Sequence, residues 1–274
     1  RFKNIVTIEG RYMGHALISG PLCGSKSLAI DKGTQGQFRN FSPGPVCAEQ
    51  LGTAKFSDAI SREHNGPESE LNIDKNGIAH NANILQSTPT GSASVSKNLE
   101  RKPMPKVNGV IVHQTGGSKA SSTFNSYAQT GAKGAHFLID KDGCIYQTAA
   151  LNMTTVHVGP LRSRCEAESS CSAEENKLNK KWDVKAMDRR EQSKEAGTRY
   201  PANKDAIGIE LVGAASKVAG QTDEVYDKVT DAQNESLAWL VQQLQLEFEF
   251  PNTEVFRHPD VSRKTPSEAS TAKW

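Results

Sequence analysis

The chain has 274 residues, 36% of them hydrophobic and 23% charged, enough for one large domain or a medium domain with a smaller companion. Its apolar runs are only a few residues long, which excludes a membrane-spanning helix. Lys and Arg number 33 against 31 acids, and the resulting net charge of +2 speaks against nucleic acid as the main partner.

The first residues, Arg1-Phe2-Lys3-Asn4, show neither an initiator Met nor a basic-then-apolar leader. That suits a fragment, a processed form or a protein exported by another route. As far as about Asn83, short apolar pieces (Ile5–Ile8 and Ala16–Ile18) lie among frequent Gly, Pro and Asn, and residues 41–46 carry turn chemistry. Residues 87–98 are rich in Ser and Thr and poor in large apolar side chains, the composition of a linker. This divides the chain into residues 1–100, loop-rich and of a targeting, delivery or wall-binding role, and residues 101–274.

Beyond Arg101 the pattern sharpens. Val110-Ile111-Val112 is a β-branched run after Asn-Gly and predicts a buried strand. Residues 121–129 read as a helix start. His136–Asp140 and Cys144–Gln147 flank Lys-Asp-Gly, which predicts a hairpin. From about 160 to 205 runs an insertion with many charges and almost no aliphatics, expected as a solvated excursion or a flap over a site. Ala206–Val212 predicts another buried strand. Thr230 and Gln233 have capping-box spacing, and Leu237, Leu240, Val241, Leu244 and Phe248 form one apolar helix face, stopped by Pro251. Val255-Phe256 is a last short strand. Strands alternating with helices give an α/β (α+β) fold, a central mixed β-sheet flanked by helices.

The five cysteines, Cys23, Cys47, Cys144, Cys165 and Cys171, are too few for a disulfide scaffold and form no CxxC pair. Cys165 and Cys171 bracket a short hydrophilic loop, to be bridged in an oxidising compartment or left as two surface thiols. Of the seven histidines, His15, His64, His80 and His136 have no distinguishing position. His113, His157 and His258 each follow a strand-like run, where sites are built on such sheets, and neutral imidazole is a common zinc ligand. No HExxH is present, so the ligands would have to come from separate strands. Glu210 interrupts an apolar strand. It either faces water or is a carboxylate of raised pKa serving as general base. Lys264 alone reads as an ordinary surface lysine.

Taken together, residues 110–115 (Val-Ile-Val-His-Gln-Thr), 135–143, 156–159, 206–213, 230–237 and 258–265 resemble, in order, the zinc-dependent N-acetylmuramoyl-L-alanine amidases (amidase type 2, peptidoglycan recognition protein-like). The resemblance implies one Zn2+ in a groove, with His113 and His258 as ligands. It further implies Glu210 as the catalytic carboxylate, Lys264 as the group polarising the scissile carbonyl, and His157 as a substrate contact. The family places Asp or Cys shortly after the lysine, and here neither stands there. Glu268 is the nearest group able to bind zinc, with Asp260 or water as alternatives.

The implied activity is hydrolysis of the amide between N-acetylmuramic acid and the L-alanine of the stem peptide, with peptidoglycan as partner. The implied place of action is the periplasm or cell wall, as a lysin, an envelope enzyme or a secreted antibacterial effector with a cognate immunity or inhibitor protein. A non-catalytic peptidoglycan-recognition module of the same fold is the alternative.

Overall fold

The computed structural model describes residues 70–274. The apolar pieces and turn before residue 70, with Cys23, Cys47, His15 and His64, lie outside the described residues. No helix among the described residues is long and apolar enough to cross a membrane.

Nine strands form. β1 (Asn72–Ile73) and β2 (Ala79–His80) pair with each other. β3 (Ile84–Leu85), β4 (Gly109–Gly116), β5 (Phe137–Ile139), β6 (Ile145–Gln147), β7 (Ala206–Lys217), β8 (Glu224–Tyr226) and β9 (Val255–Arg257) make a seven-stranded mixed sheet. Its order is β3-β6-β5-β7-β4-β9, with β8 added to the far end of β7. β4 lies parallel to both β7 and β9, and β5 is parallel to β7. Parallel central strands are covered on both faces, which explains the unbroken β-branched runs. The β5–β6 pair is antiparallel, as its Asp-Gly turn predicts, with Gly143 at φ 90.

On one face lies α5 (Asp231–Phe248). Thr230 Oγ1 accepts from Gln233 N at 3.1 Å, and Gln233 Oε1 accepts from Thr230 N at 3.1 Å, so both ends of the capping box are made. The Gln233 amide also donates to the carbonyls of Ile139 and Val212, fastening the helix start to β5 and β7. Leu237, Leu240, Val241 and Leu244 bury the expected stripe against Val110, Val112, Ile207, Ile209 and Leu211. Each such leucine contributes about 1.5–3 kcal/mol through burial. The predicted helix at 121–129 is α1 (Ala120–Tyr127).

The stretch 87–98 is packed against the sheet edge. Ser96 N donates to Thr148 O at 2.9 Å and Leu99 is fully buried. Leu71, Ala79, Ile84 and Met104 join the same core as α5, and β3 pairs with β6.

The charged insertion is folded rather than solvated coil. It contains α2 (Arg164–Ala167), α3 (Ala173–Asn179) and α4 (Val184–Ser193). With few aliphatics, polar ties replace a core: the Cys165–Cys171 disulfide, a capping box at Ser172 and Glu175, and Lys194 bridging Glu175 and Glu191 at 2.8 Å each. Arg164 pairs with Glu254 at 2.8 Å, and Asp188 accepts from Leu161 N at 2.9 Å, which seats the insertion on the sheet.

Candidate metal centre and active site

Side chains alternate along a strand, so β4 and β7 point one set of residues at α5 and the other at the opposite face. His113 and Glu210 are register partners on that opposite face. His258 opens α6 (His258–Val261) directly after β9, the neighbour of β4 on its other side. The loop after α6 returns Glu268 beneath both imidazoles.

The result is a cluster of three buried groups, His113, His258 and Glu268, whose ligand atoms all lie within 4.8 Å of one another. Glu268 Oε1 is 2.9 Å from His258 Nδ1 and 3.7 Å from His113 Nδ1. The other ring nitrogens decide the tautomers. His258 Nε2 is 2.8 Å from Val158 O, and a carbonyl can only accept, so Nε2 carries a proton and Nδ1 is the nitrogen that faces Glu268. His157 Nε2 donates in the same way to Ala206 O at 3.3 Å, which leaves its Nδ1 as acceptor. That atom is 2.9 Å from His113 Nε2, so His113 donates there and turns its Nδ1 inward. Two imidazole ring nitrogens and a carboxylate oxygen thus converge on one point, where a proton or a metal ion can be shared between them. Such a set repels itself unless a cation is shared, and two nitrogens with one oxygen are zinc donors. The residues fit the metal.

Electrostatics point the same way. Burial, helped by the charge on His258, lowers His113 to about 4, keeping it neutral. Burial and neighbouring histidines hold His157 well below its ordinary range. Burial would raise Glu268, but hydrogen bonds and charge from His113 and His258 outweigh it and hold it at about 2, an anion at neutral pH. Glu210 is half-buried and its pKa is raised, burial outweighing a hydrogen bond from Tyr127.

The other candidate residues fall out as follows. Lys264 is exposed, and its charge reaches both His113 and Glu210. Asp260 is outside the cluster: its carboxylate accepts from Arg257 N at 3.1 Å and caps α6. His157 touches His113 with one nitrogen and the backbone with the other, so only its ring carbons remain for substrate. Gly208 makes room for that ring, since a Cβ there would come within 2.8 Å of His157 Nδ1. His136 is a satisfied core histidine, bonded to Met153 O and Gly208 N. Among the described residues, the other potential donor group is Cys165, Cys171 and Glu175, and its two sulfurs are joined to each other. Tyr127, whose hydroxyl donates to Glu210 Oε2 at 2.7 Å, was not legible in the sequence. A tyrosine closing a short helix carries no signal of its own.

No curated relative matches the chain. Among solved structures, N-acetylmuramoyl-L-alanine amidase LysC from Clostridium intestinale URNW is 19% identical with a TM-score of 0.36, covering 62% of this chain and 83% of that one. A selenomethionine AmpD derivative is 18% identical with a TM-score of 0.39, covering 63% and 86%. A mutant endolysin from Bacillus subtilis is 19% identical with a TM-score of 0.36, covering 64% and 82%. At such scores these likenesses carry no argument. The family match does: residues 103–269, well over half of the 274, fit the family described as N-acetylmuramoyl-L-alanine amidase, and the chain therefore belongs to that family of peptidoglycan hydrolases.

Proposed function

We propose that the protein is a zinc-dependent N-acetylmuramoyl-L-alanine amidase that cleaves the amide joining N-acetylmuramic acid to the L-alanine of the stem peptide. The observation that carries this reading is the convergence of three potential ligand atoms from His113, His258 and Glu268 beside the Glu210 carboxylate. Those three residues would hold the ion. Zinc, when bound, supplies Lewis acidity, which acidifies a water and polarises the amide carbonyl.

The chain's own groups complete the reaction. Glu210 takes a proton from the attacking water, and its raised pKa brings its basicity closer to neutral. It then returns that proton to the L-alanine nitrogen as the carbon–nitrogen bond breaks. The Lys264 ammonium faces the negative charge that develops on the carbonyl oxygen. His157 holds the tautomer of His113 and offers only ring edge to the substrate.

The substrate places the activity in the periplasm or cell wall, as a lysin or as a secreted antibacterial effector, the latter with a cognate immunity or inhibitor protein. Residues 1 to about 70 would then serve targeting, delivery or wall binding. The described residues 70–107 are part of the body that carries the site, because Leu71, Leu99 and Met104 are buried in it.

The test is mass spectrometry of products released from purified sacculi, with and without a chelator. Free stem peptides beginning with L-alanine, lost on chelation and restored by zinc, are expected. Release of disaccharides, or chelator-resistant cleavage, would contradict the assignment.

A further inference from the structure

Tyr127 ends α1 with its ring buried in a small cluster of Leu99, Ala132 and Ala149. Gly134 lies against that ring so closely that a Cβ would come within 2.2 Å of Tyr127 Cε1. Ser96 Oγ donates to the Tyr127 carbonyl at 2.7 Å and holds the helix end in place. The side chain therefore has one position.

Its hydroxyl has two partners. Ala135 N lies 3.3 Å away and can only donate, so the hydroxyl proton is left for Glu210 Oε2 at 2.7 Å. One carboxylate oxygen of Glu210 is thereby pinned from below. The other, Oε1, accepts no hydrogen bond among the described residues, and Glu210 is the register partner of His113.

We propose that Tyr127 is a positioning residue for hydrolysis. It fixes the Glu210 carboxylate in one rotamer, with Oε1 turned to the reacting water and the leaving nitrogen. This rests on the reading of Glu210 as general base. A carboxylate that must accept and then return one proton gains from a fixed orientation, because misplacement costs turnover rather than binding. The same contact explains why a polar hydroxyl is carried at the end of an otherwise apolar ring site: a phenylalanine would fill the cluster as well.

The experiment is a double-mutant cycle on the full chain, using a soluble muropeptide and the variants Tyr127→Phe, Glu210→Gln and both together. Tyr127→Phe keeps the ring. Its kcat is expected to fall about 10- to 100-fold, the range for a hydrogen bond to a charged group. KM should stay within about twofold, with zinc content and melting temperature unchanged. In the Glu210→Gln background the tyrosine change should add less than about twofold. Wild-type kcat in Tyr127→Phe overturns the proposal, and so does a loss of full size repeated in the Glu210→Gln background. Near-normal turnover by Glu210→Gln alone is a separate failure: it removes the base assignment, and with it the group that Tyr127 is said to position.

Discussion

β4 and β7 show two faces built by different rules. Toward α5 they present Val110, Val112, Ile207, Ile209 and Leu211, which meet Leu237, Leu240, Val241 and Leu244 in an apolar contact. On the opposite face the same strands carry Ile111, His113, Gly208 and Glu210, and these meet Val158, the His157 ring and the loop holding Glu268. The α5 face requires volume and hydrophobicity, and substitutions that conserve both are tolerated. The other face requires lone-pair directions, because each donor atom is oriented by a second partner: Val158 O for His258, and His157 with Ala206 O behind it for His113. Stability resides mainly in the first face, and the second carries the proposed site.

The sharpest break comes from His113→Ala, which should abolish both metal retention and amide hydrolysis while leaving the circular dichroism of the sheet intact. Metal analysis beside turnover checks it. Zinc still bound at wild-type level would remove His113 from the ligand set. A smaller effect on the same face is expected from Gly208→Ala, whose Cβ would push the His157 ring off His113 Nε2. Disturbing a partner behind a ligand typically costs about 10- to 100-fold in metal affinity, readable by competition with a chelating dye.

The α5 face should answer differently. Leu240→Ala deletes a fully buried side chain and is expected to cost about 2–5 kcal/mol in denaturant unfolding. Its kcat and KM should match the wild type while the protein remains folded. A fall in kcat without loss of stability would show that the two faces are not separable.

A further expectation is a pH dependence of the metal-free protein. His113 and His136 are lowered from 6.5 to about 4 in the folded state, and His157 is lowered as well, burial being the main cause. The folded state therefore binds fewer protons than the unfolded one. Stability is present above pH about 6.5 and lost as the pH falls toward about 4. Glu210, with a raised pKa, opposes this as a single group. Melting temperature in the presence of chelator should drop across that window, and a flat profile would contradict the burial of three neutral rings.

Where an element rests on periodicity or local capping, the sequence was enough to see it. The α5 stripe, its Thr230–Gln233 box and the β5–β6 hairpin follow from spacing and turn residues alone. The insertion was not readable, because its helices are held by a disulfide, caps and ion pairs instead of an apolar stripe. The packed edge at 87–98 was equally hidden: Ser94 and Ser96, in a stretch that looks like linker, satisfy carbonyls of β3 and α1. In the site, His113, His258, Glu210 and Lys264 stood out through the family resemblance, and Glu268 through its chemistry near the lysine. Tyr127 and the role of Gly208 needed coordinates, since each matters only through a contact with a residue distant in sequence.

The central claim is that Glu268 completes a zinc site beside which Glu210 works without binding the metal. Zinc per protein, measured together with muropeptide turnover for Glu268→Ala and Glu210→Gln, tests it most directly. Glu268→Ala is expected to lose most of its zinc and its activity. Glu210→Gln should keep the metal while turnover falls about 10²- to 10⁴-fold, the usual worth of general-base assistance. Full zinc content in Glu268→Ala, or zinc loss in Glu210→Gln, would contradict the assignment of these two carboxylates.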